Sequence, residues 1–245
     1  MLSAFILKII AMITMLIDHI GGHVLNNPPA FRIVGRIAFV LYAFLLTEGM
    51  RHTSSKSKYI LKLLVLAIIS EIPFNLQGHG VMIYMKSRNV VFTLLIGALV
   101  IFAYEVISEI KQTEKYRWDI AVMLTLVGMI ISEAINTDYS FAGVALIMMF
   151  YFWNRQGKYS WFWLSVILSV FTLLCWFVVV GDIDFTRVTK LFFIGRLWIY
   201  FGVFLAYPLL LYYDGKKGYS SKVLQWIGWG WYPLHMLAVY FASTL

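Results

Sequence analysis

Residues 3–23 read SAFILKIIAMITMLIDHIGGH, and this stretch decides the fold class. It is an apolar run of the length that crosses the ~30 Å hydrocarbon core of a bilayer, for which about 20 residues are needed. It has no basic segment ahead of it and no small-residue cleavage site, so it is expected to be a retained first span rather than a signal peptide. It also carries Lys8, Asp18, His19 and His23, residues that a purely structural span has no reason to hold.

Runs of the same kind follow along the whole chain. The 245 residues are 61% hydrophobic and 13% charged, with a mean hydropathy of +0.80. A soluble domain has about 45–50% apolar and about 25% charged residues. Both departures describe a chain whose main solvent is lipid. The expected fold is an all-α integral membrane protein, a polytopic bundle of about nine transmembrane helices, with roughly eight to ten as the range that the length allows. The expected spans are about 3–25, 33–50, 59–76, 89–108, 119–136, 139–153, 160–180, 190–212 and 222–243, forming a single domain over 1–245.

The formal charge of +8 would suggest nucleic acid in a soluble protein. Here the basic residues stand in short loops between apolar runs, which points to a lipid bilayer as partner and not to nucleic acid. One set of alternate loops holds Arg51, Lys56, Lys58, Lys111, Lys115, Arg117, Arg155, Lys158, Lys216, Lys217 and Lys222; the other holds Arg32, Lys86, Arg88, Arg187 and Lys190. The richer set is expected to face the cytoplasm. The N-terminus then lies inside and, with nine spans, the C-terminus lies outside the cell membrane. The lone Cys175 excludes an internal disulfide and a zinc site built on cysteines, and reads as a small residue facing lipid or bundle. Trp161, Trp163, Trp226, Trp229 and Trp231 crowd near span ends, as interfacial anchors do.

A charge at the bilayer centre costs about 2.5–3.5 kcal/mol on insertion scales, so ionisable residues there call for a use. They recur: Lys8, Asp18, His19, His23, Arg36, Glu48, Glu71, Glu133, Arg196 and His235, together with Asn75. The set implies a polar cavity inside the bundle. Arg36 and Arg196 are also candidates to neutralise Glu71 and Glu133. Lys8 and His19 are eleven positions apart. At ~100° per residue they share one helix face, ~16 Å apart along the axis. Asp18 points away from His19 and suits an arginine such as Arg36.

Three chemistries fit. His19 is a general base or nucleophile with Lys8 or Arg36 supplying positive charge. Alternatively His19, His23 and Asp18 bind a metal, although Gly21-Gly22 interrupts that frame and no metal is expected. The third is a proton-coupled transporter with a His/Glu relay through Glu71 and Glu133.

The residues also carry a resemblance that runs almost end to end. Lys8 with Asp18-His19-Ile20-Gly21, then Gly35-Arg36-Ile37-Ala38-Phe39 with Phe44 and Glu48-Gly49, then His52-Thr53, Lys58-Tyr59 and Ser70-Glu71-Ile72-Pro73-Phe74 follow in order. Asn89-Val90, Thr93-Leu94, Asp138-Tyr139 and Tyr232-Pro233-Leu234-His235 complete it. In order and spacing the chain resembles the TraX family, membrane proteins whose namesake acetylates the N-terminus of conjugative pilin. Val40 and Asn75 stand where that pattern usually has Pro and Asp. The family is similar to a wider group of membrane acyltransferases drawing on cytoplasmic acetyl-CoA. Those carry a basic residue, ten intervening positions and a histidine on the first span, a spacing that Lys8 and His19 reproduce.

The resemblance implies an acetyltransferase with acetyl-CoA as donor. It makes His19 the catalytic group, as base or acetyl carrier, with Lys8 and Asp18 beside it. Arg36, Glu71 and His235 would line the site or position the donor, and Arg51 and Lys58 would hold the phosphates of coenzyme A. The acceptor would be a peptide N-terminus such as pilin, a sugar or a lipid. On an outward-running first span His19 lies ~24 Å beyond Ser3, in the outer half of the core.

The loop charges generate a direct test. Reporter fusions after Lys56, Lys111 and Lys216 are all expected to report cytoplasm. Disagreement between the last two would mean that the span pair 119–136 and 139–153 is miscounted.

Overall fold

The computed structural model describes residues 1–153, 157, 159–181 and 201–244. Among these it is helical throughout, without named strands. Helix α1 (Ala4–His23) is capped by Ser3, whose hydroxyl accepts from the Ile6 amide at 3.4 Å. Two asparagines with positive φ, Asn26 (56°) and Asn27 (62°), reverse the chain. Pro29 then opens α2 (Pro29–His52), a position where its missing N–H costs nothing. Helix α3 (Lys56–His79) starts on the Ser55 cap and ends on Gly80 in the left-handed region.

Beyond it come α4 (Val90–Ser108), a 3-10 turn (Lys111–Tyr116), α5 (Arg117–Ala134), α6 (Ser140–Phe152) and α7 (Ser160–Gly181). A 3-10 turn (Gly202–Leu205) leads into the short α8 (Ala206–Leu211), and α9 (Lys222–Thr244) closes the chain.

Helix α1 packs along α2, α9 packs against α3 and α1, and α4 lies among α3, α5 and α6. The apolar core centres on Phe44, Phe150, Phe171, Leu41, Leu146 and Leu168, all fully enclosed. The N-terminus is tied to the segment ahead of α9. Leu2 donates to the Tyr212 carbonyl at 2.8 Å and accepts from the Asp214 amide at 2.9 Å, and the Ala4 and Phe5 amides donate to the carbonyls of Lys216 and Lys217. Those two amides belong to the first turn of α1, where no intrahelical acceptor exists.

Four helices, α1 to α4, are long and apolar enough to cross a membrane. Three shorter apolar helices lie at Ser140–Phe152, Ser160–Cys175 and Gly202–Leu211. Helices occur at the expected segments, yet the figure of nine spans is not reached on these criteria. Helix α6 has only 13 residues, about 20 Å of rise. Helix α5 carries Arg117, Asp119 and Glu133. Residues 190–200 of the eighth expected span lie outside the described residues.

The exposed faces are as informative as the core. Leu61, Leu64, Val65, Ile68, Ile69 and Ile72 form one exposed stripe on α3, and Val122, Met123, Leu126, Val127, Ile130 and Ile131 form another on α5. Apolar residues at i, i+3 and i+4 normally mark the face turned to a core. Here they face outward, the pattern expected when the surroundings are hydrocarbon.

The start of α4 shows how polar groups are settled inside such a bundle. Asn89 is completely buried. Its carbonyl oxygen accepts from the Val91 amide at 3.0 Å, and its side-chain amide donates to the Ala67 carbonyl at 2.9 Å and to Glu71 at 2.6 Å. Glu71 also takes the Asn89 backbone N–H at 3.0 Å and pairs with Arg88 at 3.3 Å. One asparagine thus caps α4 and ties it to α3. Asn89→Ala is expected to destabilise the protein by roughly 1–3 kcal/mol, through a lost cap and the loss of one of the donors to the Glu71 carboxylate. Thermal melts of detergent-purified protein would read this; a melting temperature equal to that of the parent would refute the capping role.

Candidate functional site

A cavity of about 900 Å³ opens between α1, α2, α3, α9 and the segment ahead of α9. Its size is at the upper end of ligand pockets, about 300–1,000 Å³. Lys8 and His19, three turns apart on α1, both line it. Around Lys8 the wall is completed by Lys62 of α3, His52 at the end of α2, and Lys217. Around His19 it is completed by His23, Asp18, Arg32, Arg36 and Asp138. Met12, Met15, Phe39, Tyr42 and Leu66 supply apolar wall between.

The Lys8 end is crowded by design of the backbone. A Cβ on Gly228 of α9 would overlap the Lys8 ammonium. A larger residue there would push the flexible end of Lys8 aside. Among the described residues no carboxylate forms an ion pair with Lys8, Lys62 or Lys217.

The opposite end is held by charge. Asp18 pairs with Arg32 at 2.9 Å and lies 4.0 Å from Arg36, its side chain only 14% exposed. The expected partner, Arg36, is therefore the more distant one. Arg32 sits one turn earlier on the same face of α2 and reaches Asp18 directly. Arg36 donates to the Tyr139 hydroxyl at 3.3 Å, which brings the loop before α6 to the site. Gly35 explains the close approach of α2, since a Cβ there would overlap the Asp18 side chain. Asp138 opens onto the cavity, yet the protein crowded around it pushes its carboxyl above the ordinary range, with Arg36 acting against that shift.

His19 meets a second histidine. His235 Nε2 lies 2.9 Å from His19 Nδ1, and His235 Nδ1 lies 2.8 Å from the Trp231 carbonyl oxygen. His235 is 4% exposed and stands behind His19 rather than on the cavity wall. The sequence reading had His235 line the site or position the donor; the fold sets it against His19. Sequence separation hid the contact, because a lone histidine on α9 announces polarity and not its partner.

Other expected site residues are elsewhere. Glu71 does not line the cavity and serves the α3–α4 junction, where Arg88 and not Arg36 neutralises it. Arg51 pairs with Glu48 at 3.2 Å and donates to the carbonyls of Phe150 and Tyr151, fastening α2 to the end of α6. Lys58 does not line the cavity either, and its amide donates to the Ser55 cap. Lys62 and Lys217 line the wall where Arg51 and Lys58 do not. Glu133 accepts from the Ser140 hydroxyl, and neither it nor Glu71 lines the cavity. Arg155, Lys158, Arg187, Lys190 and Arg196 lie outside the described residues.

Cys175 is buried. Trp161, Trp163 and Trp226 are exposed as anchors would be, whereas Trp229 lines the cavity. No group of three or more metal-ligating side chains is found among the described residues.

Comparison with known proteins adds two findings. The family model described as "TraX protein" matches residues 3–243. The curated protein "Probable fimbrial assembly protein FimC, serogroup H1" of Dichelobacter nodosus is 26% identical over 170 residues, covering 64% of this chain and 65% of that protein. The chain thus spans just under two thirds of that relative's length. No solved structure matches.

Asp18→Asn tests the charge lock. Removing one partner of a buried pair costs about 3–5 kcal/mol, and the part-exposed Arg32 places this case near the lower figure. The expected result is a clear drop in melting temperature with the cavity still able to bind ligand. Unchanged stability would show that the two arginines need no counter-charge.

Proposed function

The chain belongs to the TraX family, and from that premise we propose that it is a membrane-embedded acetyltransferase. It moves an acetyl group from cytoplasmic acetyl-CoA to an acceptor at the outer side, a peptide N-terminus such as that of a pilin. The observation that carries this reading is the single cavity lined at one end by Lys8, Lys62 and Lys217 and at the other by His19. Three lysines that form no ion pair with a carboxylate among the described residues suit the phosphates of coenzyme A through charge-assisted contacts. Lys8 and Lys62 stand in the first two turns of α1 and α3 and Lys217 in the loop ahead of α9, the ends that the loop charges would turn toward the cytoplasm. The apolar middle suits an extended thioester arm. A histidine at the far end suits an acceptor arriving from outside. The description of the FimC relative as a probable fimbrial assembly protein supports a fibre subunit as the acceptor.

The chemistry follows from the residues. The acceptor amine attacks the thioester carbonyl, forming the C–N bond, while His19 removes a proton from the nitrogen. The tetrahedral intermediate collapses with loss of the C–S bond, and the leaving thiolate takes up the proton from His19. Atoms and charge balance without metal or redox partner. Arg36, on the wall beside His19, is placed to favour the negative oxygen that develops on the carbonyl. Asp138 offers a carboxyl that can hold the acceptor as an ammonium before it deprotonates.

Protein reconstituted in lipid nanodiscs, given acetyl-CoA and a synthetic peptide with a free α-amine, is expected to release coenzyme A and acetylate the peptide. His19→Ala should lower turnover by about 10²–10⁴-fold, the usual worth of a general base, with donor binding retained. Lys62→Ala combined with Lys217→Ala should instead raise the KM for acetyl-CoA about tenfold or more, since hydrogen bonds to charged groups are worth about 1.5–3 kcal/mol. A folded His19→Ala protein that binds acetyl-CoA and acetylates at the parent rate would sink the mechanism.

A further inference from the structure

Two distances determine which nitrogen of His19 is chemically available. His235 Nδ1 is 2.8 Å from the carbonyl oxygen of Trp231. A carbonyl oxygen can only accept, so Nδ1 of His235 carries the proton and donates it. A neutral imidazole has a single N–H, so Nε2 of His235 is bare and is an acceptor. That acceptor is 2.9 Å from Nδ1 of His19. His19 must therefore donate from Nδ1, which leaves its Nε2 with a free lone pair. The two ring planes are inclined by 24°, with centroids 4.8 Å apart.

We propose that His235 is a positioning residue that holds His19 in the Nδ1–H tautomer and presents its bare Nε2 to the cavity as the base. This rests on the acetyltransferase reading for its catalytic meaning, although the tautomer itself does not. The consequence is mechanistic. When His19 takes a proton at Nε2, its Nδ1–H continues to donate to His235, and the Trp231 carbonyl polarises that acceptor in turn. The chain from Trp231 through His235 to His19 does what an orienting third group does in nucleophile–base–orienter sets, using a backbone carbonyl and a neutral ring instead of a carboxylate. Neither Glu71 nor Glu133 is placed to do it. Burial of His235 at 4% exposure keeps water from competing for Nε2.

The arrangement also defines its own conservative replacement. A glutamine at 235 can place an amide oxygen near the ε position and still accept from His19. Phenylalanine fills the volume and accepts nothing.

The test uses the full chain, labelled with ¹⁵N-histidine, in nanodiscs. The ring signals of His19, identified by their loss in His19→Gln, are expected to show a protonated Nδ1 and a bare Nε2. An Nε2–H tautomer in the parent protein would overturn the proposal without any variant or activity measurement. In His235→Phe the tautomer is expected to change or become mixed, and turnover with acetyl-CoA and the peptide amine to fall about 10²-fold or more, with the KM for acetyl-CoA within about twofold of the parent.

His235→Gln should keep the parent tautomer and lie within about tenfold of parent turnover. Equal loss in the Gln and Phe proteins, with the parent tautomer kept in both, would reduce His235 to a packing residue and refute the assignment. If the parent protein turns over no acetyl-CoA, the acetyltransferase reading fails on its own, and the ring signals still decide whether His235 sets the state of His19.

Discussion

A charge inside a bilayer has no water to turn to, and this constraint organises the structure around the ion pair of Asp18 with Arg32 and Arg36. The pair joins the end of α1 to the beginning of α2. It sits beside Gly35, where a side chain would collide with the aspartate. With that junction closed, α1 runs antiparallel to α2, and the polar face of α1 turns inward. Lys8 and His19 then point into one cavity because they are three turns apart on a helix whose rotation is already set. The Arg36–Tyr139 contact extends the same lock to the loop before α6 and places Asp138 on the wall.

The same constraint is met differently at other polar positions, and the difference separates support from chemistry. Glu71 is saturated by Asn89 and Arg88, and Glu48 by Arg51 and the Tyr213 hydroxyl at 3.0 Å. Carboxylates with this many donors are occupied in holding helices together. Lys8, Lys62 and Lys217 form no ion pair among the described residues and face a space large enough for a ligand. Charges that open on a cavity without an ion-pair partner among the described residues are free to meet an external one, and the proposed anionic donor would fill that role. The distinction between saturated and available groups is what turns a list of intramembrane polar residues into a site.

The C-terminal helix contributes more than closure. Gly228 admits the Lys8 ammonium at one level of α9, and His235, two turns on, receives His19 at another. Both levels of the first helix are thus read by the last one. The N-terminal strand-like pairing of Leu2 with the Tyr212–Asp214 segment fixes the height at which they meet. In this way the Lys8–His19 spacing, a property of one helix, sets the two ends of the cavity to which the proposed function gives binding and reaction.

The amino-acid sequence alone determined the membrane class, the positions of the helices and the shared face of Lys8 and His19, because these depend on local hydrophobicity and on the 3.6-residue helical repeat. It also carried the family resemblance, which is a matter of ordered residues. Membership rests on the family match over residues 3–243. The pairing of charges was decided by tertiary structure. Arg32 rather than Arg36 is nearest to Asp18, Arg88 serves Glu71, and Lys62 and Lys217 line the cavity in place of Arg51 and Lys58. Each depends on how two helices are rotated and offset, to within one turn, and local pattern is silent on that. The contact of His19 with His235 spans 216 positions. Only the packing of the last helix on the first could bring those rings together, since nothing in either segment encodes the other's height in the bundle.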